Sequence, residues 1–188
     1  QMGIEEVLLL TGERTPQADF DYLNGAVRLA ATFFPQVTVE AFPMTTDEYR
    51  RLAGSGCVGI TLYQETYQPE PYSRFHRRGP KSDFSFRLAA PARAMEAGMR
   101  TVGLGVLLGL ADPVRDALCL FLHARELQQQ YWQCGVSISF PRIRPQAGGF
   151  QAPSPVSDKQ LAQMIFAFRI CLPDVPLVLS TREAAAFR

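Results

Sequence analysis

The sequence predicts an α/β chain of about six parallel strands with outer helices, arranged as a partial TIM-type (β/α) barrel that forms a single incomplete barrel domain over residues 1–188. Three observations predict it. Short apolar runs of β type alternate with segments whose apolar residues recur at helical spacing. Each run ends in polar, glycine-containing or proline-containing text, at Thr11-Gly12-Glu13, Pro43-Met44, Gln64-Glu65, Gly109 to Asp112, Arg142-Ile143-Arg144 and Thr181-Arg182-Glu183, and a barrel gathers all such ends at one mouth. The chain also supplies six strands where a complete barrel needs eight units and about 250 residues. Local periodicity leaves an open doubly wound sheet as the alternative. An open partial barrel exposes two sheet edges, so coverage by a homodimer or by strand exchange is expected.

Taken in order, Glu6 to Thr11 is a buried-type strand, and Asp19 to Phe34 carries Leu23, Val27, Ala30, Ala31 and Phe34 on one helical face. Val37 to Ala41 alternates as a second strand. Thr45 and Glu48 have the spacing of a reciprocal capping box, opening a short helix that closes before Gly54. Cys57 to Tyr63 is the third strand, and its helix is delayed by a loop from Gln64 to about Phe84 before running to Gly98. Thr101 to Leu108 is the fourth strand; Asp112 and Pro113 supply the cap and first-turn proline of a helix reaching Gln130. Val136 to Phe140 follows, then a Pro/Gly-rich loop from Pro141 to Pro155, a helix capped by Ser157 and ended by Pro173, and a last strand at Pro176 to Leu179.

Composition narrows the function classes. With 47% hydrophobic and 20% charged residues the chain can bury a core, and its net charge of +1 gives no broad attraction to nucleic acid or anionic lipid. The dense basic patch is Arg74, Arg77, Arg78 and Lys81. No apolar run has the length to cross a bilayer and no leader pattern opens the chain, so a cytoplasmic setting is expected. Cys57, Cys119, Cys134 and Cys171 have no paired spacing, which argues against a zinc site or disulfide framework and for free, mostly buried thiols. Gln1 to Glu6 reads like the end of a helix leading into a strand, and Ser180 to Glu183 follows a strand shortly before the last residue, which suggests a piece of a longer protein.

Several side chains at the strand ends could carry chemistry. Glu13, after a Thr11-Gly12 turn, could accept an ammonium group, or be a solvated loop residue. Glu65, beside Gln64, could hold a ribose diol through its two oxygens, or cap a helix. Arg87 could clamp a carboxylate, or pair at the surface with Asp83. Gly103 and Gly105 remove side chains where a flat ring could lie against backbone, although their spacing is not that of a dinucleotide fingerprint. Arg142 and Arg144 point to opposite faces if extended, so one could bind an anion while the other pairs structurally. Tyr63 and Tyr67 could shape an aromatic pocket. His76 and His123 lack partners at metal-ligand spacing; the first reads as solvated, the second as structural.

The stretches LLLTGE (Leu8 to Glu13), YQETY (Tyr63 to Tyr67), RGPKSDF (Arg78 to Phe84), GLGVLLGL (Gly103 to Leu110), QQQYWQ (Gln128 to Gln133), SFPRIRP (Ser139 to Pro145) and LSTRE (Leu179 to Glu183) span nearly the whole chain. Together they resemble the barrel of the 2-iminoacetate synthase family, radical S-adenosylmethionine (SAM) tyrosine lyases of thiamine biosynthesis, with the tyrosine lyase of hydrogenase maturation as a relative. The resemblance implies a radical SAM core fold. It implies that Thr11, Gly12 and Glu13 receive the SAM amino group, that Gln64 and Glu65 meet the ribose, that Arg87 clamps the SAM carboxylate, and that Gly103 and Gly105 lie against adenine. Tyr67, Ser139, Arg142 and Arg144 fall where substrate tyrosine, and its carboxylate in particular, is expected. In such enzymes a 4Fe–4S cluster reduces SAM, and the resulting radical starts Cα–Cβ cleavage of tyrosine to 2-iminoacetate and p-cresol. A thiazole synthase subunit is the implied partner. The departure is the cluster motif, Cys-x-x-x-Cys-x-x-Cys, which the four cysteines do not form; the 188 residues alone are therefore expected not to cleave SAM reductively.

Overall fold

Every strand lies beside its neighbour in sequence. The computed structural model describes residues 3–145, 148–184 and 187, and in it β1 (Glu6–Leu10), β2 (Gln36–Glu40), β3 (Cys57–Thr61), β4 (Thr101–Gly105), β5 (Gly135–Ser139) and β6 (Leu177–Val178) follow one another across one sheet, all parallel. A doubly wound sheet reverses its strand order at a switch point. Here the order never reverses, which decides for the half-barrel.

The helices form on the caps that the sequence supplies. In α1 (Phe20–Ala30) the Asp19 carboxylate accepts from the Tyr22 amide, and α2 (Thr46–Gly54) opens on the complete Thr45/Glu48 capping box. This helix includes Gly54 instead of stopping before it. Gly56, at φ 106°, makes the turn, because a Cβ there would stand 2.7 Å from that of Ala31. Asp112 caps α6 (Pro113–Gln130) at the amides of Val114 and Arg115, and Ser157 forms a capping box with Gln160 on α7 (Asp158–Cys171).

The expected long loop after β3 is largely folded. It contains α3 (Pro69–Phe75) and a 3₁₀ turn (Pro80–Ser82), and the helix that follows is two pieces, α4 (Phe84–Leu88) and α5 (Ala90–Glu96). Pro69 occupies the first turn of α3, where its missing N–H costs nothing, and Pro91 forces the restart between α4 and α5. We call the segment from α3 to α4 the strap. β4 is also shorter than expected: beyond Gly105 only Val106 and Leu108 make single bridges, to Glu65 and Arg142.

One hydrophobic core fills the space between sheet and helices. Val37, Val39, Ile60, Val102, Leu104, Val136 and Ile138 from the strands meet Leu23, Val27, Leu52, Ala94, Leu120, Leu127, Leu161 and Phe168 from the helices. Register then fixes the opposite, concave face. Leu8 and Leu10 align with Thr38 and Glu40, these with Gly59 and Thr61, and then with Thr101, Gly103 and Gly105, with Gly135, Ser137 and Ser139, and with Val178. The central strands thus present Gly, Ser and Thr to the barrel interior, with Glu40 at the end of β2, while the edges present Leu8, Leu10 and Val178.

Cys57 is buried, Cys119 and Cys134 are half-buried and Cys171 is exposed, so the thiols are more accessible than expected. Among the described residues no helix is long and apolar enough to cross a membrane.

Candidate SAM-binding mouth

A cleft of about 300 Å³ opens at the C-terminal ends of β1, β2 and β3, lined by Thr11, Gly12, Glu13, Glu40, Thr61, Tyr63, Glu65, Lys81 and Arg87 among others. Arg87 is its organising cation. Only 5% exposed, it donates from Nε to the Tyr63 carbonyl at 2.8 Å, from one terminal nitrogen to Glu13 Oε1 at 3.1 Å and from the other to Glu65 Oε1 at 3.4 Å. Asp83, its expected surface partner, instead caps α4 by accepting from the Phe86 amide. Lys81 Nζ, on the strap, donates to Glu65 Oε1 at 2.6 Å and lies 3.7 Å from Glu13 Oε1.

Two features at Glu13 leave a place for a ligand's ammonium group. Glu13 Oε2 is buried without a hydrogen-bond partner, and the space above Gly12 is open. Glu40 adds a third carboxylate, pushed above its ordinary pKa by burial and then by the charge of Glu65. These groups fit the amino-acid and ribose ends of SAM.

Glu65 is held in a conformation that it would not choose. At φ 73° it is the only non-glycine residue with positive φ among the described residues, a strain of about 1–3 kcal/mol. The next residues are pinned to α6. Asp116 Oδ1 accepts from the Thr66 hydroxyl at 2.9 Å, the Tyr67 amide at 2.8 Å and Gln68 Nε2 at 3.2 Å. Asp116 Oδ2 is buried without a partner, and burial raises the pKa of this carboxyl.

That turn decides the fate of two sequence candidates. Tyr67 swings out of the mouth into the helix layer, where its hydroxyl meets His123 Nδ1 at 2.8 Å; burial pushes the phenol up and the imidazole down in pKa. The expected aromatic wall is Tyr63 alone. Gln64 is 4% exposed and is not part of the cleft lining; by strand alternation it faces the helices.

The β4 glycines keep their backbone bare for side chains of β3. A Cβ on Gly103 would stand 2.7 Å from Thr61 Oγ1, and one on Gly105 would stand 2.6 Å from the Tyr63 ring. The flat ring lying on this backbone is that of Tyr63. Burial raises its phenol above the ordinary pKa, with the buried Ser139 hydroxyl beside it acting the other way.

The two arginines after β5 do not divide between opposite faces as alternation suggested: both reach Glu183, and neither lines the mouth. Arg142 is buried, donating to both oxygens of Glu183 at 2.8 and 2.6 Å, to the Val156 carbonyl at 2.9 Å and to Asp158. It is a structural cation, with no donor directed at the mouth. Arg144 is one-third exposed, 3.9 Å from Glu183, and lines a separate cleft of about 460 Å³ with Ile143, Phe150 and Gln151. The His76 ring packs at a tilt against Tyr72, centroids 4.5 Å apart, and His76 is kept below its ordinary pKa by burial and then by Lys81.

Sequence reasoning missed Lys81, Glu40 and Asp116 as parts of this arrangement. Lys81 was visible only as one charge in a basic patch. The signal for Glu40 was its place at a strand end; Asp116 gave none.

No group of three His, Cys, Asp or Glu side chains converges as a metal site among the described residues, and the thiols are dispersed over β3, α6, α7 and the approach to β5. The chain's own residues therefore do not fit a 4Fe–4S cluster.

The sequential parallel half-barrel is the fold of radical SAM enzymes. Residues 139–188 match the Biotin and Thiamin Synthesis associated domain. Along its whole length the chain is similar to 2-iminoacetate synthase, with 41% identity to the protein of Escherichia coli and 39% to that of Salmonella typhimurium. It spans about half the length of these curated relatives, 50% of each. The FeFe-hydrogenase maturase HydG from Carboxydothermus hydrogenoformans superimposes with a TM-score of 0.90 at 32% identity, over 100% of this chain and 44% of that one.

Proposed function

We propose that this half-barrel binds SAM and presents it to tyrosine, as part of a radical SAM carbon–carbon lyase of the 2-iminoacetate synthase kind. The observation that carries the reading is the convergence of Glu13, Arg87 and Glu65, with Glu13 Oε2 buried and without a partner. Glu13 receives the ligand's ammonium group, Arg87 its carboxylate and Glu65 its ribose hydroxyls; the Gly103–Gly105 segment with the Tyr63 ring forms the wall for adenine. Once reduced by one electron from a 4Fe–4S cluster, whose ligands would have to come from outside these 188 residues, bound SAM would supply the 5′-deoxyadenosyl radical that removes a hydrogen atom from tyrosine. The chain's residues fix the ligand's two ends, so that its reactive centre is held over the small-residue floor of the barrel. Arg144, the arginine with exposed donors, is the candidate for the tyrosine carboxylate, with Ser139 beside Tyr63. Cleavage of the Cα–Cβ bond of tyrosine, with one electron and one proton returned to the cresolyl fragment by the same reducing system, would then give 2-iminoacetate and p-cresol.

Calorimetric titration with S-adenosylhomocysteine tests the binding step; absence of binding overturns it. The lyase step is tested by replacing the matching half of the Escherichia coli relative with this chain and assaying anaerobically with SAM, reductant and tyrosine. A folded chimera that cleaves SAM yet releases no p-cresol overturns tyrosine as substrate. A second reading, a barrel that binds SAM without reacting it, draws on the dispersed cysteines; a chimera that binds SAM but never cleaves it favours that reading.

A further inference from the structure

Lys81 and Arg87 compete for the same carboxylate oxygens. Lys81 Nζ is 2.6 Å from Glu65 Oε1 and 3.7 Å from Glu13 Oε1, and Arg87 reaches these two atoms at 3.4 and 3.1 Å. A diol bound to a carboxylate takes one hydroxyl to each oxygen, and Glu65 Oε1 already accepts from two cations, so the hydroxyl that reaches it must displace Lys81 or Arg87. Arg87 is fixed by its bond to the Tyr63 carbonyl, whereas Lys81 is one-quarter exposed on a flexible four-carbon stem. The displaced ammonium remains within reach of Glu13, and the nearest new anion there is the carboxylate that the ligand brings to Arg87.

Resting on the reading that this mouth binds SAM, we propose that Lys81 is a further ligand-binding residue, which is released from Glu65 by the ribose hydroxyls and pairs with the ligand's amino-acid carboxylate beside Arg87. The strap is built to hold the backbone while the ammonium moves. The Tyr72 hydroxyl donates to the Lys81 carbonyl at 2.6 Å, and the Tyr72 ring packs against Phe84 with centroids 5.1 Å apart. The exchange makes the two ends of the ligand interdependent: the ribose frees the cation that the carboxylate recruits. Lys81 thereby selects for a nucleoside that carries an amino-acid carboxylate over one that does not.

Titration of wild type and Lys81→Met with two ligands tests this. S-adenosylhomocysteine carries both diol and carboxylate, and methylthioadenosine carries the diol alone. Loss of a charge-assisted contact predicts that Lys81→Met binds S-adenosylhomocysteine about tenfold more weakly, while methylthioadenosine, relieved of a competitor for Glu65, binds no more weakly than to wild type. Lys81→Arg restores affinity for the carboxylate ligand. Unchanged or tighter binding of S-adenosylhomocysteine to Lys81→Met, or equal weakening of both ligands, overturns the role of Lys81 and leaves the SAM-site reading standing. A folded wild type that binds no S-adenosylhomocysteine removes that reading and this inference together.

Discussion

Arg87 directs one guanidinium at three acceptors, the Tyr63 carbonyl and the carboxylates of Glu13 and Glu65. An ammonium cannot reproduce that fork, because it lacks the planar array of donors. Arg87→Ala leaves two acidic groups facing each other with Lys81 as their remaining close cation; we expect a loss of about 2–3 kcal/mol in urea unfolding and loss of S-adenosylhomocysteine binding. Arg87→Lys retains most of the stability but not the affinity, and equal affinity in that variant would show that the fork is unimportant. Arg142 makes the contrasting case. Its partner Glu183 is 3% exposed, so Glu183→Gln leaves a buried guanidinium half-compensated. That variant is expected to lose about 3 kcal/mol of stability with unchanged ligand affinity, read by unfolding and titration on the same samples. Weakened binding at full stability would return Arg142 to the mouth. The sequence narrowed the choice to two arginines but could not name the structural one, since Glu183 is 41 residues away.

At the scale of elements, the exit of β3 is a strained turn held from outside. Three donors, from Thr66, Tyr67 and Gln68, converge on one oxygen of Asp116, and it is this clamp on α6 that aims Glu65 at the mouth. Asp116→Ala leaves these donors without their acceptor and is expected to cost about 2–4 kcal/mol, with weaker S-adenosylhomocysteine binding as Glu65 relaxes. Asp116→Asn keeps the accepting oxygen and removes a buried charge, so stability is expected to be kept or raised. The sign with pH follows. Burial raises the folded-state pKa of Asp116 above the ordinary value of 3.8, so its contribution is complete below that value and is lost as pH rises through the folded pKa. The stability difference between Asp116→Asn and wild type should therefore grow from acid to neutral pH; a difference that shrinks would place the charge in a favourable environment. Strands and caps were legible because Thr45, Asp112 and Ser157 act on amides within three residues. The clamp was not, because Thr66 and Asp116 are 50 residues apart, and Tyr67 was misplaced with it: alternation fails where a positive φ reverses the chain.

At the scale of the molecule, the fold was legible as a succession of βα units, and the outcome between barrel and doubly wound sheet needed the strand order, which no local pattern contains. The same order creates the half-barrel's liability. β6 is a two-residue edge with few free ladder groups, whereas β1 is a five-residue edge whose concave side exposes Leu8 and Leu10, at 47% and 68%. An unpaired edge with adjacent exposed leucines is a template for another strand. Two copies meeting at β1 across a two-fold axis at Leu9 would pair antiparallel, set Leu8 of one copy against Leu10 of the other and leave both mouths open, since Glu13 and Arg87 lie beyond the strand end. We expect the 188-residue chain to sediment as a dimer at micromolar concentration, and Leu8→Lys with Leu10→Lys to return it to a monomer by placing like charges across the axis. S-adenosylhomocysteine affinity should be the same in dimer and charged monomer. A wild-type chain that sediments as a single monomeric species shows that the β1 edge is tolerated bare, and a dimer that survives both substitutions moves the contact away from β1.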